Sequence, residues 1–162
     1  MKNRSIKDVV ATFSIVAADP ETEELGIAVQ SKFIAVGSVV PWAKAGLGAV
    51  ATRSWANTSC GPKGLALLEK GYSPQEALDM MLAEDDEKEF RQVGIVDARG
   101  NAANFTGDEC FPWAGGVTGK NYTCQGNILV NEETVTRMAE VFEKSTGDLA
   151  SRLLEALDAA QE

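Results

Sequence analysis

The stretch Thr12-Phe13-Ser14-Ile15-Val16-Ala17-Ala18-Asp19-Pro20-Glu21-Thr22-Glu23-Glu24-Leu25-Gly26-Ile27-Ala28-Val29-Gln30-Ser31-Lys32 decides the fold. Residues 9–17 and 25–29 are apolar and rich in β-branched side chains, and the Asp19-Pro20 pair between them is a turn signal. The stretch therefore reads as two strands joined by a turn. Thr12 heads the first strand, where a threonine is either a good strand former or a nucleophile.

Working outward, residues 33–40 form a further apolar run that reads as a strand stopped by Pro41-Trp42, and residues 48–54 read as the next strand. Short strands joined by short turns predict an antiparallel meander rather than a βαβ unit. A polar loop over 55–62 opens a helix over 63–70 that Gly71 stops. Ser73-Pro74-Gln75-Glu76 is a capping box with proline at the first helical position, and it starts a second helix with Ala77, Leu78, Met81 and Leu82 on one face. Residues 84–89 are a charged, solvated loop. Strands follow at 92–96 and 102–106 around a tight turn, then a glycine-rich loop at 112–119 and a strand over 122–130 interrupted by Gly126. Val135, Met138, Ala139 and Phe142 recur at helical spacing, Gly147 breaks the run, and Leu149, Leu153, Leu154 and Leu157 continue it. The order predicts one α+β domain with helices covering packed sheets.

The 162 residues suffice for one domain with a real core, and no apolar run reaches membrane-spanning length. A net charge of -9 disfavours nucleic-acid binding, which calls for a basic face, and no basic amphipathic stretch suits a membrane surface. The basic start lacks the long apolar segment of a secretory signal, so a cytoplasmic location is expected. Cys60, Cys110 and Cys124 are odd in number and lack zinc-ligand spacing, which predicts buried free thiols and no metal site. The sequence contains no histidine. Histidine-based triads, dyads and metal sites are thereby excluded, and any hydrolytic base must be a carboxylate, a lysine or an α-amino group.

Thr12 is the first candidate. A threonine that begins a mature chain can use its own α-amine, of ordinary pKa about 7.7–8.0, as the base. Here eleven residues precede it, so that chemistry requires a cut after Ala11. Cys60 precedes the helix start at Gly61-Pro62, where a thiolate is favoured, although a packed small side chain is the plainer reading. Backbone amides around Ser59 to Gly61 are candidates for an oxyanion site. Ser31 and Lys32 end the second strand, where they could polarise a nucleophile heading the first. Gln125 and Asn127 could bind a substrate amide or satisfy backbone groups. The glycine-rich loop has no phosphate-binding spacing, and no cofactor is implied.

The runs TFSIVAADPETEELGIAVQSKF, VGSVVPWAKAGLGAVATRSWAN, CGPKGLALLEKG, VGIVDARGN, PWAGG and YTCQGNILV together resemble a conserved bacterial and archaeal family, domain of unknown function ten-twenty-eight. That family is placed in the N-terminal-nucleophile (Ntn) hydrolase superfamily. The resemblance implies a four-layer αββα sandwich over residues 12–162, with residues 1–11 as a leader or an extra strand. It also implies that Thr12 is the nucleophile; on the hydrolase reading of the residues themselves, Ser31 and Lys32 polarise the site, and Ser54, Asn57, Cys60, Gly61, Gln125 and Asn127 are the oxyanion or substrate-binding candidates. The chain departs from the family in its leader, in having Lys32 where relatives commonly carry histidine, and in ending before a glycine-rich segment that leads relatives into further strands. A sandwich short of its last strands would expose apolar surface, so a homo-oligomer is expected. Two readings follow: a hydrolase of a small amide or peptide-like substrate, and a catalytically inactive Ntn-like scaffold for small-molecule binding or assembly.

Overall fold

The structure is a computed structural model that describes residues 11–161. β1 (Thr12–Asp19) and β2 (Glu24–Ser31) form the expected hairpin, with Thr12 opposite Ser31 and Asp19 opposite Glu24. Asp19 Oδ1 accepts the Glu21 N–H at 3.0 Å, the local bond by which an aspartate closes such a turn. Val9 and Val10, included in the first strand on sequence grounds, lie outside the described residues.

β3 (Pro41–Lys44), β4 (Gly48–Ser54), β5 (Arg91–Asp97) and β6 (Ala102–Thr106) make one antiparallel sheet in that order. β7 (Ala114–Gly119) and β8 (Tyr122–Asn127) join the first hairpin in another, ordered β2-β1-β8-β7. Four helices complete the described chain: α1 (Cys60–Glu69), α2 (Pro74–Ala83), α3 (Glu133–Lys144) and α4 (Leu149–Ala159). The α2 capping box forms as expected, with the Ser73 N–H donating to Glu76 Oε2 at 2.8 Å. Among the described residues, no helix is long and apolar enough to cross a membrane.

Side-chain alternation builds the layers. Phe13, Ile15 and Ala17 of β1 pack with Val135, Met138, Phe142, Leu149 and Leu153 of α3 and α4. Val16 and Ala18 point the other way, to Ala49, Ala51 and Val96 of the second sheet. Val50, Val93 and Ile95 of that sheet meet Leu68, Leu78 and Met81 of α1 and α2. Helices, sheet, sheet and helices therefore stack in four layers, each β-strand face buried against a different neighbour.

Several local expectations are corrected. Residues 33–40 are not a strand: they form turns and a short 3₁₀ segment at Val36–Ser38, entered through Ala35 at φ 57°. The first strands are not one meander, because β1-β2 and β3-β4 belong to opposite sheets. The glycine-rich 112–119 region contains strand β7, whose glycines permit close packing: a Cβ at Gly116 would stand 2.9 Å from the Cys124 carbonyl oxygen of β8. β8 ends at Asn127 rather than running to 130, since Ile128 turns to φ 57°. α1 begins at Cys60, three residues ahead of the predicted 63, and takes Gly61-Pro62 into its first turn.

Candidate functional site

The space between the sheets is apolar at one end and polar at the other. Thr12 and Ser14 of β1, Gln125 and Asn127 of β8, Gln92 of β5 and Arg53 of β4 are all buried at the polar end. A burial so rich in polar groups is tolerable because they pair with one another. Gln125 Nε2 donates to Ser14 Oγ at 2.9 Å, and Thr123 Oγ1 donates to Gln125 Oε1 at 3.0 Å. Asn127 Nδ2 donates to Gln92 Oε1 at 3.2 Å, and Gln92 Nε2 donates to the Gly126 carbonyl at 2.8 Å. Gly94 leaves room for the Gln125 amide, since a Cβ there would stand 2.5 Å from Gln125 Oε1.

At the mouth of this polar end lies a cavity of about 320 Å³. That is the lower range of small-ligand sites. Thr12, Arg53, Ser54 and Asn127 contribute its polar wall, and Phe33, Val36, Val39, Trp55, Phe111 and Ile128 most of its apolar wall. The 3₁₀ segment after β2 and the loop after β4 close over it. The latter loop is braced from behind: Arg91 Nη1 donates to the Trp55 carbonyl at 2.7 Å, while Arg91 Nε holds Asp85 Oδ2 at 2.8 Å. The bonds from Arg91 keep the Asp85 carboxyl at a pKa of about 2, well below the ordinary range. Two wall residues sit in the left-handed region, Ser54 at φ 66° and Ile128 at φ 57°. For β-branched Ile128 this is costly backbone, a feature that concentrates at functional sites.

Thr12 Oγ1 lies 2.8 Å from Ser31 Oγ, Ser31 Oγ donates to the Ala11 carbonyl at 3.1 Å, and the Phe33 N–H donates to Ser31 Oγ at 3.1 Å. A serine has one proton, so Ser31 satisfies all three contacts only with Thr12 donating to it. Ser31 thus holds the Thr12 hydroxyl and the carbonyl of the Ala11–Thr12 peptide bond together.

Of the sequence-derived positions, the structure brings Thr12, Ser54 and Asn127 to the cavity wall, with Ser31 bonded to Thr12 behind it. Lys32 is exposed and off the wall. Gln125 is wholly buried, its amide given to Ser14 and Thr123. Asn57 shapes the start of α1, accepting from the Ser59 N–H and from the Cys60 N–H through its side chain and its carbonyl respectively. Those two amides are therefore occupied within the loop. Gly61 packs against the Trp42 ring, away from the cavity. Cys60 is buried as well, and burial raises its thiol pKa, opposite to the direction a helix N-terminus alone would give. Cys110 and Cys124 are likewise buried free thiols.

Sequence reasoning missed Arg53. It follows Ala49 and Ala51 on the otherwise apolar inward face of β4, and an arginine in that register is itself a signal. The apolar wall from residues 33–40 is hidden in the sequence because the composition of that run is strand-like.

No curated protein matches the chain. A crystal structure of a Silicibacter pomeroyi protein assigned to DUF1028 superposes with a TM-score of 0.90 at 34% identity, covering 93% of this chain and 67% of that one. The family model described as a family of unknown function, DUF1028, matches residues 12–162, starting at Thr12 itself. By both measures the chain belongs to the DUF1028 family of unknown function.

Proposed function

We propose that this protein is a hydrolase of the N-terminal-nucleophile type, acting on an amide bond of a small molecule with Thr12 as nucleophile. The observation that carries this reading is the Thr12 hydroxyl, hydrogen-bonded to Ser31 and set in the wall of a preformed cavity. The four-layer stack and the family match that begins at Thr12 add support.

The chemistry starts with hydrolysis of the Ala11–Thr12 bond: water gives its hydroxyl to the Ala11 carbonyl carbon, which leaves as a carboxylate terminus, and a proton to the Thr12 nitrogen, which becomes the free α-amine. That amine accepts the Oγ1 proton as Oγ1 attacks the substrate carbonyl carbon. The new C–O bond gives an acyl-enzyme ester as the C–N bond breaks, and the amine product leaves carrying the proton. Water then hydrolyses the ester, releasing a carboxylic acid and restoring Thr12. Ser31 orients the hydroxyl, and Ser54 and Asn127 face the substrate from the cavity wall. No histidine is required.

The test is intact mass and N-terminal sequencing of untagged protein, followed by an amide-library screen with a Thr12→Ala control. A chain beginning at Thr12, with turnover abolished by Thr12→Ala, is the expected result. A chain retaining Ala11–Thr12 and inert to the library overturns it.

A second reading has its own observation. In the intact chain the Thr12 nitrogen is acylated by Ala11, whose carbonyl Ser31 already engages. A chain that keeps this bond is a binding scaffold, and saturable ligand binding without turnover would mark it.

A further inference from the structure

Arg53 is only 2% exposed. Its Nη1 donates to the Gln125 carbonyl at 2.7 Å, but its Nε and Nη2 have no hydrogen-bond partner among the described residues. Nor does any carboxylate among the described residues pair with it. Burying a guanidinium without a counter-charge is among the more expensive things a core can do. Burial has lowered its pKa to about 9, which still leaves it charged at neutral pH. The two unpartnered groups lie on the same edge of the guanidinium plane and present parallel N–H donors, the fork that matches a carboxylate.

We propose that Arg53 is the recognition site for a carboxylate carried on an apolar body. Arg53 lines the same cavity as Thr12, and among the described residues no acidic residue lines that cavity. Its remaining wall is dominated by Phe33, Val36, Val39, Trp55, Phe111 and Ile128. An inorganic phosphate would satisfy the fork but bring no hydrocarbon to cover the apolar wall. An organic carboxylate places its charge on Arg53 and its hydrocarbon on the aromatic and branched walls. The substrate class follows for the hydrolase reading, on which this half of the inference rests. It is an amide with a free carboxylate and an apolar group, such as an N-acylated apolar amino acid or a short peptide ending in one.

The experiment is equilibrium binding to the full chain, by calorimetry and by tryptophan fluorescence, since Trp55 is in the wall. Hexanoate, its neutral isostere hexanamide and inorganic phosphate are the probes. Hexanoate is expected to bind saturably and at least about tenfold tighter than hexanamide, the ordinary worth of charge-assisted hydrogen bonds. Phosphate is expected to bind more weakly than hexanoate. Arg53→Met should lose at least about tenfold in hexanoate affinity while keeping its circular dichroism and a cooperative melt, and Arg53→Lys, charged but without the fork, should fall between. Equal binding of hexanoate and hexanamide, tighter binding of phosphate, or undiminished hexanoate binding by Arg53→Met overturns the proposal. Should Arg53→Met fail to fold, the wild-type hexanoate-to-hexanamide ratio and Arg53→Lys decide. Binding is read without turnover, so the two readings fail separately. Arg53-dependent binding with no turnover sinks the hydrolase alone, whereas Thr12-dependent turnover of neutral amides, unchanged in Arg53→Met, sinks the carboxylate site alone.

Discussion

The hydroxyl of Thr12 lies 2.8 Å from the hydroxyl of Ser31, its register partner across the β1–β2 pair. One side chain at the end of β2 thereby fixes the rotamer of the first residue of β1 and touches the carbonyl that precedes it. Ser31→Ala removes that anchor without emptying the core, since Ser31 is only part-buried. On the proposed hydrolase reading, Thr12-dependent turnover is expected to fall by about 10- to 100-fold, the range of a lost positioning contact at a nucleophile. Stability should fall by only about 1 kcal/mol, read from the urea midpoint. Ser31→Thr, which keeps the hydroxyl, should restore most of the rate; no recovery there would deny the hydroxyl its role.

The Asp85–Arg91 pair is the main acid-sensitive element of the site's surroundings. The Asp85 side chain is 12% exposed and its carboxyl is held at a pKa of about 2 by the bonds from Arg91. A carboxylate whose pKa is lower in the folded than in the unfolded chain stabilises the fold above the unfolded value, ordinarily near 3.9, and that contribution disappears as pH falls through about 2. The pair is worth about 2 kcal/mol at neutral pH on this linkage. Asp85→Asn should lower the melting temperature at pH 7, and the difference from wild type should shrink steadily between pH 4 and pH 2. Because Arg91 also holds the Trp55 carbonyl, the same variant should weaken ligand binding in the cavity.

The β1–β2 hairpin and the helix faces were legible because they rest on local signals. The β-branched run before the Asp19-Pro20 turn, the Ser73 box and the spacing of Val135, Met138 and Phe142 each act within a few residues. What was not legible depends on partners distant in sequence. Residues 33–40 carry a strand-like composition, yet Ala35 at φ 57° turns them across the cavity mouth. β7 looks like a loop because its glycines serve the close approach of β8 and not a turn. For the site, Thr12 and Ser31 could be paired from the hairpin register alone. The distribution of Gln125 and Asn127 could not: both are inward residues of β8, but only Asn127 reaches the wall, because Ser14 and Thr123 claim the Gln125 amide. Arg53 was readable in principle from its register with Ala49 and Ala51.

Gly94→Ala tests the inter-sheet polar network. The added Cβ would stand 2.5 Å from Gln125 Oε1 and 2.6 Å from its Nε2, so the amide must move. Its bonds to Ser14 and Thr123 would then stretch or break, in a place with no solvent to replace them. The expected destabilisation is about 1–3 kcal/mol, from overpacking and strained buried hydrogen bonds. It should appear as a lower urea midpoint at unchanged slope. A Gly94→Ala midpoint equal to wild type would mean that the two sheets yield enough to admit a methyl group.

Arg53 makes the opposite prediction, that removing a buried group stabilises the fold. Its guanidinium is charged, buried and paired with a single carbonyl, Gln125 O. Methionine replaces the aliphatic stem with an apolar chain that ends short of the guanidinium, so Arg53→Met removes a desolvated charge at the expense of that one hydrogen bond. Replacing buried charge by packed hydrocarbon is commonly neutral or stabilising, and here about 1–3 kcal/mol of added stability is expected at pH 7. The sign with pH is also fixed. A base whose pKa is lowered on folding, here to about 9, depresses stability wherever both states hold the proton. Wild-type stability attributable to Arg53 should therefore rise as pH increases above 9, and the advantage of Arg53→Met should shrink over the same interval. Urea unfolding of both proteins at pH 7 and pH 10 measures this directly. A variant less stable than wild type at both would mean that the lost hydrogen bond to the Gln125 carbonyl and the lost packing outweigh the relief of the desolvated charge. A more stable variant that has lost hexanoate binding would identify Arg53 as a residue kept for its ligand at the expense of the fold.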